Sequence, residues 1–102
     1  MKALLFQGNR VVTSDEVADA VLDYVSVLFA TGLRETIHIP VVSDGAISDC
    51  TITFGPEVAW AAVSVPGTSP DGFPGSRGTA ELLRERRARL IDAELEPFVT
   101  RI

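Results

Sequence analysis

The sequence is poor in the residues that most often carry chemistry. Among its 102 residues there is one cysteine, Cys50, and one histidine, His38. A single cysteine excludes an internal disulfide, and such sparing cysteine use is typical of the cytoplasm, the compartment we expect. We therefore predict a fold that holds together by packing alone.

Long apolar runs are also absent. The longest, residues 58–63, has six members, whereas a membrane-spanning helix needs about 20. The N-terminal residues show no sustained apolar stretch followed by small residues. We therefore expect neither a signal peptide nor a membrane span.

Positive charge is scarce. The formal net charge is −5 and the isoelectric point is near 4.7, a balance that disfavours binding to nucleic acids or acidic membranes. Five arginines do cluster between residues 77 and 89, but acids interrupt them. They form either a solvated helix face or, through Arg84 and Arg87, a contact to acids of a protein partner or of the first predicted helix.

The remaining composition indicates one globular domain spanning residues 1–102. Apolar residues make up 46% and charged residues 23%, which excludes disorder, collagen and coiled coil. The mean hydropathy of +0.24 is high for a small domain, because small domains have much surface per residue. This predicts a face shared with another chain, most simply in a homodimer.

The first third of the chain predicts a β-hairpin followed by a helix. Two short apolar runs flank Gly8-Asn9, the expected two-residue turn. Thr13 and Glu16 have the spacing of a capping box, and Gly32 suits the residue that ends a helix after Thr31. Apolar residues cover most of this predicted helix, more than one buried side requires.

Residues 35–54 predict a second hairpin with a defined register. Both flanks alternate in polarity around Asp44-Gly45, a strong hairpin signal. With that turn, Ile39 pairs with Cys50 and His38 with Thr51, on opposite faces. Pro40 cannot donate to a ladder, so we expect this strand at an edge, or its missing N–H facing outward.

A third strand, residues 58–65, completes a predicted three-stranded antiparallel meander. An even turn after residue 54 places Ala61 and Val63 under the helix, and a three-residue turn places Trp60 and Ala62 there; the sequence leaves both open. Residues 66–78 contain four glycines and three prolines, which indicates a flexible loop. A second helix is predicted from a Thr79 cap to Glu96, ended by Pro97. The expected fold class is α+β, a two-layer sandwich.

Two groups of residues are candidate binding sites. The loop leads into a helix N-terminus, where Ser76, Arg77, Gly78 and Thr79 can bind an anion through backbone N–H groups and one cation. The sheet face away from the helices is predicted to present candidate contacts at Thr36, His38, Thr51 and Thr53. The same face is expected to carry Pro40 and Val42, and Trp60 and Ala62 in one of the two registers.

The sequence favours no enzyme chemistry. His38 has no predicted carboxylate or nucleophile beside it, and Cys50 is expected to pack in the sheet core, so we predict no catalytic residue. Asp15, Asp19 and Asp23 share one helix stripe without the spacing of a metal site, so neither metal nor cofactor is expected. The function predicted is a non-enzymatic interaction or assembly module. The alternative is a small-ligand binder, or a minor enzyme, with a site between the sheet face and the 66–78 loop.

Overall fold

The computed structural model describes residues 1–55, 59–66 and 75–99, with side chains in the last stretch as far as Asp92. It has the α+β architecture expected from the sequence, with one five-stranded sheet and two helices. The elements in chain order are β1 (Lys2–Phe6), β2 (Asn9–Thr13), α1 (Asp15–Thr31), β3 (Glu35–Ser43), β4 (Ala46–Phe54), β5 (Trp60–Ser64) and α2 (Ser76–Val99).

The strands lie in the order β4-β3-β2-β1-β5, and every neighbouring pair is antiparallel. The predicted meander therefore stops after β4, because β5 pairs with β1 at the opposite edge of the sheet. Leu4 of β1 is wholly buried, and a buried strand with one free edge would leave backbone groups without partners. Pairing with β5 supplies those partners. Of the predicted turn at 55–57, residues 56 and 57 lie outside the described part of the chain.

The β3–β4 hairpin has the predicted register. Ser43 pairs with Ala46 across Asp44-Gly45, and the pairs Ile39↔Cys50 and His38↔Thr51 follow. The β1–β2 turn is displaced by one residue from its predicted place. It consists of Gln7-Gly8, with φ of 47° and 77°, the left-handed pair that a two-residue type I′ turn requires.

The cap of α1 lies one residue later than predicted. Ser14 accepts a hydrogen bond from the Val17 N–H at 3.2 Å, which satisfies one of the free amides of the first turn. The Thr13 hydroxyl instead donates to the Pro40 carbonyl at 2.6 Å, where β2 leaves β3 after a single pair, Val12↔Val42. The predicted C-cap is confirmed, since Gly32 has φ of 74° and its N–H bonds to Leu28.

α2 is longer than predicted at both ends. It begins at Ser76 rather than after Thr79 and continues past Pro97 to Val99. The early start follows from side-chain partners on α1, because the Ser76 hydroxyl bonds to Ser14 and Glu16. A proline removes one helix hydrogen bond without having to end the helix, and α2 continues through Pro97.

Both helices pack on one face of the sheet. They run side by side in the same direction, since Ser76 meets the start of α1 and Arg86 lies beside Tyr24 farther along. Trp60 stacks on Phe6 with ring centroids 4.2 Å apart and meets Phe54 edge-on at 4.9 Å. Trp60 and Ala62 therefore face the helices. This is the second of the two registers that the sequence left open for this strand. The largest buried side chains are Leu4, Val17, Val21, Tyr24, Leu28, Ile39, Phe54 and Leu83.

Candidate functional site

The sheet surface opposite the helices, here called the open face, carries the four predicted polar contacts. Thr36, His38, Thr51 and Thr53 are all exposed there. They bond to one another across the hairpin, Thr36 to Thr53 at 3.0 Å and the His38 Nδ1 to Thr51 at 2.7 Å. Pro40, expected to be exposed on this face, is buried. Cys50 lies on the other face, so the two residues of any Cys–His dyad are separated by the sheet.

A continuous apolar row crosses the open face. Directly paired residues of neighbouring strands point to the same face, and the registers align one apolar residue from each strand. Val63, at the β5 end, is 49% exposed. This row is a product of strand order and was not visible in the sequence. Its members are Ile47, Val42, Val12, Ala3 and Val63.

β5 forms one edge of the sheet, and its outer side has no strand partner among the described residues. The Val65 N–H bonds to the Met1 carbonyl at 3.1 Å, so alternate residues from Val65 backward direct their backbone groups toward β1. Trp60, Ala62 and Ser64 consequently direct their N–H and C=O groups outward. Natural edges are usually protected by lysine, proline or a bulge, and the strand Trp-Ala-Ala-Val-Ser contains no charge and no proline.

An apolar groove lies beside this edge, between β5 and α1. Phe29 is 65% exposed, the largest exposed fraction among the large apolar side chains described. The Trp60 Nε1 is buried in this region without a hydrogen-bond partner among the described residues. The groove encloses about 540 Å³ and accounts for part of the excess apolar surface predicted for α1. Its lining is Leu22, Val25, Ser26, Phe29, Ala59 and Trp60.

The predicted anion-binding residues begin α2. The Ser76 hydroxyl donates to Glu16 Oε1 at 2.8 Å, so the 2.6 Å contact with Ser14 has the Ser14 hydroxyl as donor. This short chain of hydrogen bonds joins the two helix N-termini. Its Ser14–Ser76 contact is buried and its Ser76–Glu16 contact is half-buried. Arg77 and Gly78 are exposed, and Thr79 is half-buried with its N–H bonded to Gly75. Anion binding by these residues stays a prediction, and residues 67–74 of the predicted loop lie outside the described ranges.

The acidic stripe of α1 is engaged at its N-terminal end. Asp15 lies 3.2 Å from the terminal amine of Met1, and Asp19 accepts from Lys2 Nζ at 2.6 Å. Asp23 is exposed. Within the described residues no group of three or more potential metal ligands comes together.

A polar cleft that the sequence did not suggest lies where α1, α2 and β3 meet. It encloses about 360 Å³ and is lined by Tyr24, Glu35, Arg86, Arg89 and Leu90. Tyr24 is only 1% exposed. Burial raises the pKa of its phenol and the Glu35 carboxylate adds to the rise, while Arg86 acts in the opposite direction. These residues are far apart in the chain, and only the parallel packing of the helices brings them together.

Cys50 is half-buried on the helix side of β4 rather than enclosed in the core. Burial raises the pKa of its thiol, which keeps the thiol protonated and weakens it as a nucleophile. It lines a shallow groove of about 380 Å³ together with Phe6, Val11 and Ile52. Among the described residues that line this groove, none is a histidine or a carboxylate, the usual bases for a cysteine nucleophile.

Comparisons with known proteins add no family to this description. No protein-family model, no curated protein and no solved structure matches the chain. In the part of the chain that the structure describes, no helix is long and apolar enough to cross a membrane.

Proposed function

We propose that this protein is a non-enzymatic assembly module that forms a homodimer through β5. The observation that carries the proposal is the coincidence of an unprotected strand edge and an exposed apolar groove on the same side of the domain. Either feature alone is common. Together they match a surface that another strand and helix would cover.

A second copy of this chain is the occupant we favour because of charge. Two copies with a net charge of −5 repel each other, so self-contact is least unfavourable where the surface is neutral. Neither β5 nor the groove lining includes an ionisable side chain. Of the acids of α1, Asp15 and Asp19 lie at the other end of the helix from Phe29 and have cationic partners. Asp23 lies between Leu22 and Ser26 of the groove lining, where it is an exposed carboxylate at the margin of the groove.

The expected dimer is built around a two-fold axis perpendicular to the sheet. Antiparallel pairing of β5 with its copy, centred on Ala62, engages the outward backbone groups of both strands. Both helix layers then lie on the same side of one ten-stranded sheet. The α1 helix of each protomer approaches the groove of the other, so Phe29 loses its contact with water. We expect a total buried area above about 1,000 Å², the size expected of a specific interface.

Sedimentation of the full chain at tens of micromolar tests the proposal. The wild type should have twice the chain mass of 10.9 kDa. Phe29→Arg should give monomers, because an unpaired cation would be buried in the interface. Leu82→Arg is the matched control: Leu82 is another exposed apolar helix residue, at 42%, but it lies on α2, away from β5. This variant should stay dimeric.

A backbone variant tests the strand pairing separately. Ala62→Pro removes an outward N–H and leaves the β1–β5 ladder, so it should weaken the dimer while the monomer stays folded. A monomeric wild type would remove the proposal. Dimers that survive both Phe29→Arg and Ala62→Pro would exclude β5 as the interface.

The open face is the competing surface for a homodimer. Val63 of its apolar row and its uncharged threonines are also exposed. Thr51→Arg places a cation on that face, on the edge strand β4 farthest from β5, and leaves β5 untouched. A dimer lost in Thr51→Arg and retained in Phe29→Arg would assign the interface to the open face. The suggested protein contact through Arg84 and Arg87 stays a separate proposal, which Arg84→Glu and Arg87→Glu test through binding of an acidic partner.

A further inference from the structure

The cleft between the helices and the start of β3 combines burial with two opposite charges. The Tyr24 side chain forms part of its floor and packs edge-on against Phe54, with ring centroids 6.1 Å apart. Glu35 approaches from the first residue of β3, and Arg86, Arg89 and Leu90 approach from one face of α2. A volume of about 360 Å³ is within the range of small-ligand pockets, about 300–1,000 Å³.

The charges in the cleft are not neutralised in the same way. Arg89 is engaged by Glu85 at 2.7 Å. Glu35 and Arg86 take part in no salt bridge within the described residues. The Arg86 guanidinium donates a hydrogen bond to the Tyr24 hydroxyl, on which the Glu35 carboxylate also acts electrostatically. The Glu35 carboxylate and the Arg86 N–H groups that do not bond to Tyr24 are therefore available to a ligand on two walls of the same cleft.

We propose that this cleft binds a small zwitterion with an apolar side chain, of the class of the free α-amino acids. The ligand carboxylate bonds to Arg86 and the ligand ammonium to Glu35. The Tyr24 hydroxyl bonds to the same polar end, and the apolar part of the ligand packs on Leu90. This site is independent of β5 and of the proposed dimer.

Charge complementarity selects the zwitterion over simpler ions. A plain anion is attracted by Arg86 but repelled by the Glu35 carboxylate. A plain amine is attracted by Glu35 but repelled by Arg86. A charge left unpaired in a partly dehydrated cleft carries a desolvation cost. A ligand with both charges satisfies both walls at once, and each charged hydrogen bond contributes to its affinity.

Three matched probes test the inference with the full-length chain. L-leucine carries both charges, 4-methylpentanoate is the same skeleton without the amine, and 3-methylbutylamine is the same skeleton without the carboxylate. Chemical-shift titrations at millimolar concentration should show saturable binding of L-leucine, with shifts at Tyr24 and Leu90. The two single-charge probes should bind at least about tenfold more weakly, the ratio expected for one lost charged hydrogen bond.

Charge-removing variants give a signature that a structural role would not produce. Glu35→Gln should weaken L-leucine and strengthen 4-methylpentanoate, and Arg86→Gln should weaken L-leucine and strengthen 3-methylbutylamine. Arg84→Gln, which removes an exposed arginine of the same helix outside the cleft, should change nothing. Unfolding curves show whether each variant is folded.

Three results would overturn the inference. The first is a wild type that binds none of the probes, and the second is equal binding of all three. The third is loss of binding in Arg84→Gln to the same extent as in Arg86→Gln. Failure here leaves the oligomeric state unaffected, so it is distinguishable from failure of the proposed assembly function.

Discussion

Removal of the Ser14 hydroxyl should destabilise the protein more than any comparable serine-to-alanine change in α1. Ser14 caps α1 through the Val17 N–H and donates to Ser76 in a buried contact of 2.6 Å. Loss of the cap costs about 1 kcal/mol, and loss of the buried hydrogen bond costs about another 1 kcal/mol. Ser14→Ala should therefore lower the free energy of unfolding by about 2 kcal/mol.

The same loss of free energy corresponds to a decrease in the melting temperature, Tm. The entropy of unfolding is about 2.1 cal/mol/K per residue, so a chain of this length loses about 9 °C in Tm for 2 kcal/mol. Urea unfolding at one fixed protein concentration measures the free energy directly, because dimer formation would make stability depend on concentration. Ser26→Ala is the matched control. The Ser26 hydroxyl is exposed and bonds only to Leu22 of its own helix, so its loss should change stability by no more than about 0.5 kcal/mol.

A double-mutant cycle isolates the contact between the helices. Ser14→Ala and Ser76→Ala each remove the shared hydrogen bond, so the double variant should lose about 1 kcal/mol less than the sum of the single losses. Equal effects of Ser14→Ala and Ser26→Ala would refute the capping role. A coupling within about 0.3 kcal/mol of zero would refute the Ser14–Ser76 contact.

The remaining predictions concern single groups with one clear readout each. Tyr24 is the only tyrosine and its pKa is raised from 10.0, so absorbance near 295 nm should titrate above that value in the native state and near it in urea. Since the folded state holds this proton more tightly, stability should fall as pH rises through and beyond 10.0. Cys50 should react with a thiol reagent more slowly in the native state than in urea, because burial raises its pKa; equal rates would show that it is not shielded. Gly32→Ala should cost about 1 kcal/mol, since its φ is 74° while no atom lies within 4 Å of an added Cβ; an unchanged urea midpoint would contradict this. The anion-site hypothesis predicts that phosphate raises Tm beyond a chloride control and that Arg77→Ala removes this rise. Equal rises in the wild type and in Arg77→Ala would contradict the hypothesis.

The sequence by itself determined the local parts of this fold. The β3–β4 register follows from Asp44-Gly45 and the alternation around it, because a hairpin's two strands and its turn lie next to each other in the chain. The end of α1 at Gly32 is equally local, since a left-handed C-cap is a property of one residue and its helix. The scarcity of histidine, cysteine and positive charge likewise limits the chemistry open to this chain, whichever way it folds.

Errors of one residue arose where two local signals competed. Both Thr13 and Ser14 are good caps, and the choice was made by Pro40, whose carbonyl engages the Thr13 hydroxyl. At the first turn, Gln7-Gly8 replaced Gly8-Asn9 because the pairing Phe6↔Asn9 fixes which residues are left to turn. For the cap, the deciding partner lies on another segment, so residue preferences alone could not separate Thr13 from Ser14.

Tertiary structure alone decided where β5 lies and what the helices bring together. A strand with the sequence of β5 can extend either edge of a sheet, and only the unpaired backbone of β1 and the stacking of Trp60 on Phe6 select one. That choice creates both the free edge and the apolar row of the open face. The cleft at Tyr24, Glu35 and Arg86 depends on the parallel docking of two helices whose sequences are far apart. Packing between distant segments has no local signature, and both the dimer surface and the ligand cleft proposed for this protein arise from such packing.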